Sequence, residues 1–256
     1  MNPEDKLTDL SGRVAVVTGG SRGMGKEMIQ AFARCGADVV IASRKLDACE
    51  ALAAEVTSAT GRRAVATAFH AGKWDDCDAL AELVYDEFGR CDILVNNAGM
   101  SPLYPSLVEV SEELYAKVMA VNLQGPFRLS AAIGSRMAAG DGGSIINVSS
   151  VAASEPTPTE AVYGAAKAGL HAITKTFARE YAPKVRVNCI QPGPFLTDIA
   201  DHWSEATHDA LLGLPLQRGG QPDEVVGAAL YLASDASSYT TGAVIKIDGG
   251  LTYATS

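Results

Sequence analysis

Positive charge is scarce in this sequence, and that shortage excludes one class of partner. Its 21 Lys and Arg residues face 30 Asp and Glu residues, so the formal net charge is -9. Nucleic-acid binding depends on clustered cations that neutralise phosphates. We therefore expect no nucleic-acid partner.

Cysteines are few and scattered, which argues against disulfide and metal sites. The five are Cys35, Cys49, Cys77, Cys91 and Cys189, and no pair has CxxC spacing. That pattern indicates neither a zinc site nor a redox motif, and a chain of 256 residues needs no covalent staple. We predict no metal, and reduced, mostly buried thiols in a cytoplasmic protein.

Long hydrophobic runs are also missing. The first six residues, Met1 to Lys6, carry acids where a secretory signal has a basic and then an apolar stretch. The apolar runs Val14 to Val17 and Val39 to Ala42 are far too short to span a bilayer. We expect no membrane association.

What the chain does contain is an alternation of short β-rich runs and helical stretches. Strands are predicted at residues 14–18, 38–42, 64–69, 93–96, 144–149, 185–191 and 243–247. Helices are predicted at residues 25–35, 46–59, 75–88, 111–137, 161–181 and 222–233. Strands that are apolar on both faces and separated by helices indicate a parallel sheet covered on both sides. The fold class is therefore α/β: one doubly wound parallel sheet of about seven strands with helices on both faces.

One domain is predicted over residues 1–256, because no change of composition marks a boundary. The stretch from Asp198 to Gly220 breaks the strand–helix rhythm. It combines His202, Trp203 and His208 with leucines and flanking Gly and Pro. We interpret it as a mobile helical lid over a substrate site.

A glycine-rich turn joins the first strand to the first helix. Its residues are Gly19, Ser21, Arg22, Gly23, Met24 and Gly25, after Thr18. Glycines there let the backbone approach a pyrophosphate, which then lies on the free N–H groups of the helix start. The turn predicts a dinucleotide site.

The same turn also matches G-x-S-x-G, the nucleophile elbow of serine hydrolases. A hydrolase would need a histidine on a later loop at a strand end. His171 lies inside a predicted helix, His202 and His208 lie in the predicted lid, and His70 follows the third strand. No HGGG-like oxyanion segment precedes the turn. The dinucleotide interpretation is favoured.

The end of the second strand indicates which dinucleotide is bound. NAD sites place an acid there for the ribose hydroxyls, whereas this sequence has Ser43 followed by Arg44 and Lys45. Cations at a helix N-terminus oppose the helix dipole, and a bound 2′-phosphate would reverse that penalty. Arg22 could reach the same phosphate. NADP(H) is favoured, and NAD(H) is the alternative.

Tyr163 and Lys167 are four residues apart at the start of a predicted helix, so they share one face. Reduction of a carbonyl needs an acid that protonates its oxygen, and a nearby ammonium would lower the pKa of a tyrosine toward that task. Ser149 and Ser150 end the preceding strand, at the edge where doubly wound sheets place their sites.

Taken together, these motifs resemble the short-chain dehydrogenases/reductases from about Leu10 to about Thr252. The matching residues are Thr18, Gly19, Gly23, Gly25, Asn96, Asn97, Ala98, Gly99, Asn122, Ser150, Tyr163, Lys167, Pro192, Gly193, Thr197, Asp248 and Gly249. The resemblance implies a Rossmann fold and hydride transfer between a nicotinamide and a carbonyl or secondary alcohol. It also implies a homo-oligomer, a tetramer or a dimer, built through the helices near 111–137 and 161–181 and the C-terminal strand.

The resemblance implies roles for the catalytic set. Tyr163 is the general acid for reduction and the base for oxidation, and Ser150 polarises the carbonyl oxygen. Lys167 binds the nicotinamide ribose and lowers the pKa of the tyrosine, while Asn122 holds a helix kink and a proton-relaying water.

Further roles concern the cofactor. The segment Asn96 to Gly99, with Asn97, Ala98 and Gly99 as contacts, supports the adenine side. Pro192, Gly193, the Phe195 backbone and Thr197 hold the carboxamide side. One position departs from the family pattern: His70 stands where members usually carry an Asp facing the adenine amino group. We keep His70 as a cofactor contact, and a solvent-facing loop histidine is the alternative.

The substrate is less defined by the sequence. The candidate pocket residues are mainly apolar and favour a hydrophobic ketone or alcohol; they are Met100 to Tyr104, Val151 to Pro156, Pro194 and the predicted lid. A 3-oxoacyl thioester reductase is the alternative; its acidic carrier protein would require a basic patch, for which only Lys184 and Arg186 lie nearby in sequence. A dinucleotide-binding regulator without turnover is the third hypothesis.

Overall fold

The computed structural model describes residues 8–198, 200 and 205–253. Its strands are β1 Val14–Thr18, β2 Asp38–Ser43, β3 Ala64–Ala68, β4 Ile93–Asn96, β5 Gly143–Val148, β6 Val185–Pro192 and β7 Val244–Ile247. Its α-helices are α1 Gly23–Arg34, α2 Leu46–Thr60, α3 Trp74–Phe88, α4 Glu112–Met119, α5 Gly125–Ala139, α6 Ala161–Glu180, α7 Glu205–Leu211 and α8 Val226–Ala233.

The strands form one seven-stranded parallel sheet in the order β3-β2-β1-β4-β5-β6-β7. This confirms the predicted fold class. The chain first builds from β1 toward β3, and then continues on the other side of β1 with β4. Val17 pairs with Ile41 of β2 and with Val95 of β4, so β1 is the central strand at this reversal. In open α/β sheets ligands bind beyond the carboxyl ends of the strands at such a point.

A hydrophobic core fills each face of the sheet because β1, β2 and β4 are apolar on both sides. Alternate residues of β1 enter opposite cores, Val17 on one face and Val16 on the other. The first core packs against α1, α2 and α8, with Phe32 of α1 fully buried. The second packs against α3, α5 and α6. Burial on both faces explains why these strands read as continuous apolar runs.

The helix predicted over 111–137 is interrupted by a π-helical turn at Ala120–Gln124, between α4 and α5. Within this turn the N–H of Gly125 donates to the carbonyl of Ala120, five residues back. Pro126, which has no N–H, stands at the start of α5 and cannot donate to the preceding turn. The interruption is centred on Asn122.

No helix in the described part of the chain is long and apolar enough to cross a membrane. Those residues also include no group of three or more His, Cys, Asp or Glu side chains arranged to hold a metal. All five cysteines are free thiols, and only Cys35 is partly exposed. Within the predicted lid, Glu205–Leu211 forms the helix α7. Ile199, His202, Trp203 and the side chain of His208 lie outside the described residues. The lid itself stays a prediction.

Candidate active site

The turn between β1 and α1 is shaped so that no side chain could replace its glycines. Gly19 and Gly23 have φ values of +64° and +50°, in the left-handed region. A Cβ on Gly25 would stand 2.3 Å from the carbonyl oxygen of Gly19. The backbone is therefore bare where α1 begins, and its first N–H groups can receive an anion.

Asn97 and Thr18 hold this turn against the end of β4. The Asn97 amide donates to the carbonyls of Thr18 (2.9 Å) and Gly19 (3.2 Å). The Thr18 hydroxyl oxygen accepts the backbone N–H groups of Asn97 and Ala98, both at 3.0 Å. The Asn97–Gly99 segment is thereby tied to the glycine-rich turn, next to Gly25.

The residues predicted to recognise the ribose lie at the ends of β1 and β2. The Ser21 hydroxyl donates to that of Ser43 at 3.0 Å, which joins the two strand ends. Arg44 is exposed and has no hydrogen bond or ion pair within the described residues. Arg22 instead pairs with Asp198 at 3.1 Å, and both side chains are more than half exposed. Since such a pair contributes little stability, Arg22 is available to another anion.

The segment after β6 closes the opposite side of the turn. A Cβ on Gly193 would stand 2.7 Å from the Asp248 Cα, so this loop lies directly on the segment after β7. Farther along, a Cβ on Gly23 would stand 3.2 Å from the Thr197 Cγ2. The Phe195 side chain is buried, and the backbone carbonyl of Phe195 accepts the N–H of Thr197. Pro192, Gly193, Phe195 and Thr197 thus border the cleft opposite Asn97.

Asn122 is fully buried in the π-helical turn and fixes the loop after β4. Its amide donates to the carbonyls of Met100 and Val118, both at 2.9 Å, and its Oδ1 accepts the N–H of Met100 at 3.2 Å. A Cβ on Gly99 would stand 3.1 Å from that oxygen and 3.6 Å from the Lys167 Nζ. Asn122, Gly99 and Lys167 therefore meet at one point.

Ser150, Tyr163 and Lys167 converge where β5 ends and α6 begins. Lys167 is buried, with its Nζ 5.6 Å from the centre of the Tyr163 ring, and it donates to the Val148 carbonyl at 2.7 Å. The Ser150 side chain lies close enough to the phenol of Tyr163 to lower its pKa, and its Oγ accepts the N–H of Ala152 at 3.2 Å. A hydroxyl, a phenol and an ammonium thus face one small region.

Burial shifts the proton affinities of both members of this pair. The pKa of the Tyr163 phenol is raised to about 12, chiefly by burial; the neighbouring Ser150 side chain lowers it and the Glu160 carboxylate raises it. Burial likewise lowers the pKa of Lys167 to about 8. The role of Lys167 in lowering the pKa of the tyrosine stays a prediction that follows from the family resemblance.

His70 lies in the turn after β3, where it is half-buried. Its ring Nδ1 accepts the backbone N–H of Gly72 at 3.1 Å. The ring is therefore part of the turn itself rather than a free surface side chain.

Several residues that support the site were not singled out from the sequence. Asn147 of β5 links the Asn96 amide (2.9 Å) to the Thr174 hydroxyl (2.8 Å), a buried polar chain that joins β4, β5 and α6. An asparagine within an otherwise apolar strand was the available signal, because buried amides need partners. Asp198 gave no such signal, since Arg22 is 176 positions away.

Lys184 and Arg186, the two cations considered for binding a carrier protein, lie at the edge of the sheet opposite to the catalytic residues. Lys184 and Arg186 stand at the amino end of β6, where Lys184 donates to the Gly140 carbonyl at 3.0 Å. Arg186 donates to the carbonyls of Leu232 and Ser234 at the end of α8. The catalytic set lies at the carboxyl ends, on the opposite edge.

Comparison with known proteins gives matches along nearly the whole chain. A family model described as enoyl-(acyl carrier protein) reductase matches residues 19–252. The 3-oxoacyl-[acyl-carrier-protein] reductase FabG of Chlamydia trachomatis is 37% identical over 244 residues, 94% of this chain and 98% of the relative.

Solved structures agree in fold as well. A short-chain type dehydrogenase/reductase from Mycobacterium marinum superposes with a TM-score of 0.91 at 34% identity, covering 98% of this chain and 99% of the other. A gluconate 5-dehydrogenase from Burkholderia cenocepacia, solved with NADP and tartrate, superposes with a TM-score of 0.92 at 33% identity, with the same coverage of each chain.

Proposed function

Because this chain belongs to the short-chain dehydrogenase/reductase family, we propose that it reduces a hydrophobic carbonyl compound with NADPH, with Tyr163 as the proton donor. It is an oxidoreductase that transfers a hydride between a nicotinamide dinucleotide and a carbonyl or secondary alcohol. The observation that carries the finer proposal is the convergence of Ser150, Tyr163 and Lys167 beside the glycine-rich turn.

The bound nicotinamide supplies the hydride. On the protein side, the Ser150 hydroxyl donates to the carbonyl oxygen of the substrate and fixes its position beside Tyr163. The phenol of Tyr163 gives its proton to that oxygen. With a pKa raised to about 12, chiefly by burial, this phenol is protonated at neutral pH and so carries the proton that the proposed step requires.

Lys167 and Asn122 complete the proposed site. Lys167 is buried with donors beyond the one engaged by Val148, and these would bind ribose hydroxyls. Each Asn122 hydrogen bond given by the structure goes to the backbone of Met100 or Val118, which holds the loop after β4 against Lys167. The bare glycine turn supports binding of the pyrophosphate, since a Cβ on Gly25 would fill it.

The preference for NADP(H) is supported by charge at the end of β2. Ser43 and the exposed Arg44 stand where an acid would repel a 2′-phosphate. Arg22, held only by an exposed pair with Asp198, is a second cation at the same turn. NAD(H) is the alternative cofactor, and an assay that compares NADPH with NADH distinguishes the two.

A hydrophobic substrate is supported by the residues around Tyr163. Met100 and Tyr104 pack with Val162 in a small cluster next to α6. The Tyr104 hydroxyl is not free in this cluster, because it accepts the N–H of Val162 at 3.3 Å. This side of the site therefore offers an apolar wall.

A 3-oxoacyl thioester is the second candidate substrate, favoured by the name of the chlamydial relative. An acidic carrier protein would approach the edge that holds Tyr163. Lys184 and Arg186 lie at the opposite edge and are engaged by backbone carbonyls, so they supply no basic patch there. We rank the carrier-bound substrate second for that reason.

The test is the loss of reduced-nicotinamide absorbance with NADPH and NADH side by side. The carbonyl panel contains aliphatic and aromatic ketones, a steroid, and 3-oxoacyl groups both as free thioesters and on a carrier protein. We expect turnover with NADPH on a hydrophobic ketone. Turnover only with NADH would refute the roles of Arg22 and Arg44, and turnover only on the carrier-bound thioester would establish the second candidate.

We also propose that the protein is cytoplasmic and forms a homotetramer, with a dimer as the alternative. The scarcity of cysteine and the free thiols support the compartment.

A further inference from the structure

The turn after β3 is built around the backbone and ring of His70. The N–H of His70 donates to the Asp76 carboxylate at 2.9 Å, and the carbonyl of His70 accepts the N–H of Lys73 at 2.9 Å. The ring Nδ1 accepts the N–H of Gly72 at 3.1 Å. The Nδ1 atom thus fixes the ring to the turn, while the N–H and carbonyl of His70 are themselves hydrogen-bonded within it.

The bond to Gly72 decides which ring nitrogen carries the proton. A backbone N–H can only donate, so Nδ1 must present a lone pair, and the neutral ring carries its proton on Nε2. Within the described residues Nε2 has no hydrogen-bond partner. His70 therefore offers a single outward donor and no acceptor.

An aspartate at this position would present an outward acceptor and no donor. Asp and Asn side chains commonly accept the N–H two residues on, as Nδ1 of His70 does from Gly72. One carboxylate oxygen would make that bond, and the other would face outward as an acceptor. Replacement by histidine keeps the turn and inverts the polarity of the outward atom.

His70 lies next to the proposed ribose position. The N–H of Phe69 donates to the carbonyl of Ser43 at 2.9 Å, so the residue before His70 is bonded to the end of β2. A pyrophosphate on the start of α1 and a ribose at Ser43 direct the adenosine half toward the ends of β2 and β3. The outward nitrogen of His70 is a side-chain donor of the β3 turn available to a base edge there, beside the backbone N–H of Ala71, which also has no partner among the described residues.

We propose that His70 contacts the nucleobase of the cofactor as a hydrogen-bond donor, so that this enzyme does not read the 6-amino group of adenine. The inference rests on the proposed dinucleotide function. On the N7 edge of the base, a donor pairs with N7 of adenine, and with N7 or the 6-oxo group of hypoxanthine. A carboxylate acceptor would need the 6-amino group and would be left unpaired opposite an oxygen.

The test compares the dissociation constants of NADPH and its hypoxanthine analogue, measured by nicotinamide fluorescence without any carbonyl substrate. The matched variants are His70→Asn and His70→Asp: both can accept the N–H of Gly72, but Asn keeps an outward donor and Asp presents an acceptor. The readout is the ratio of the two constants within each protein. That ratio cancels any general effect of the added aspartate charge on dinucleotide affinity.

We expect the wild type and His70→Asn to bind both dinucleotides within about threefold, and His70→Asp to prefer NADPH by on the order of tenfold, the loss from one unpaired buried acceptor. A wild type that prefers NADPH tenfold overturns the inference. Absence of binding to either dinucleotide would instead refute the proposed function.

A second measurement needs neither a variant nor a cofactor. Two-bond proton–nitrogen correlation spectra of 15N-histidine protein, which has four histidines, report which ring nitrogen is protonated. Loss of one signal in His70→Asn assigns the residue. We expect the proton of the neutral ring on Nε2, and a neutral ring protonated on Nδ1 would overturn the inference.

Discussion

At the scale of single residues, burial governs the proton affinities of the catalytic pair. Tyr163 and Lys167 are each shifted toward their neutral forms, the phenol with a pKa raised to about 12 and the amine with a pKa lowered to about 8. Both shifts have desolvation as their largest cause, and both side chains lie in the same region between β5 and α6. The phenol is consequently held as an acid, which suits the proposed reduction.

The substitution Tyr163→Phe should lower kcat/KM for carbonyl reduction by about 10²–10⁴-fold, the usual contribution of a general acid. Affinity for NADPH should stay close to that of the wild type, because only one oxygen atom is removed. Steady-state rates and a fluorescence titration with NADPH measure the two effects separately.

The matched control is Tyr231→Phe, which removes a hydroxyl that hydrogen-bonds the Thr240 hydroxyl at 2.8 Å beside α8, outside the candidate site. It should keep turnover while losing about 1 kcal/mol of stability. Equal loss of turnover in both variants would contradict the assignment of the acid to Tyr163.

At the scale of elements, the turn before α1 shows how close packing restricts a sequence position. Gly25 lies where a Cβ would stand 2.3 Å from the Gly19 carbonyl oxygen and 2.7 Å from the Asn97 amide. Those atoms belong to the same contacts that hold the turn to β4. A change at Gly25 therefore acts on the shape of the whole turn.

We expect Gly25→Ala to destabilise the protein by roughly 1–3 kcal/mol through overpacking, and to weaken NADPH binding because the turn must move. Gly227→Ala is the control: Gly227 is exposed in α8, and a Cβ there would have no atom within 4 Å. The control should gain about 0.4–1 kcal/mol, since alanine loses less chain entropy in a helix. Thermal unfolding and NADPH titration test both, and unchanged NADPH binding in Gly25→Ala would refute the role of this turn.

At the scale of the whole molecule, an edge strand and a partly exposed phenylalanine are the surfaces on which we propose contacts between subunits. Among the described strands β7 is the last of the sheet and pairs with β6 alone, so it is an edge strand. Phe127 of α5 is 42% exposed and packs beside Phe177 of α6, with ring centres 5.4 Å apart. These features lie on the elements that the family resemblance assigns to subunit contacts, and they support a homotetramer.

Light scattering should therefore give a mass four times the 26.6 kDa of the chain. Phe127→Glu should reduce that mass, because it would place a charge in the proposed contact between α5 helices. Val108→Glu, at a 91% exposed position outside these elements, should leave the mass unchanged. A wild-type mass of one chain would refute the assembly.

Much of the fold and the central part of the candidate site could be predicted from the sequence, because both depend on local spacing. Apolar runs of strand length define β1, β2 and β4, and the glycines after Thr18 mark the turn that follows. The four-residue interval between Tyr163 and Lys167 sets them on one face of α6. Such features involve residues within a few positions of each other, so the chain itself determined them.

Only the tertiary structure decided which distant groups meet and how strongly burial acts on them. The pairing of Arg22 with Asp198 and the position of Lys184 and Arg186 on the far edge follow from strand order. The raised pKa of Tyr163 follows from desolvation by surrounding elements, and the proton position on His70 follows from one backbone N–H. Distances between remote residues and loss of solvent are properties of the packed chain, and no local pattern encodes them.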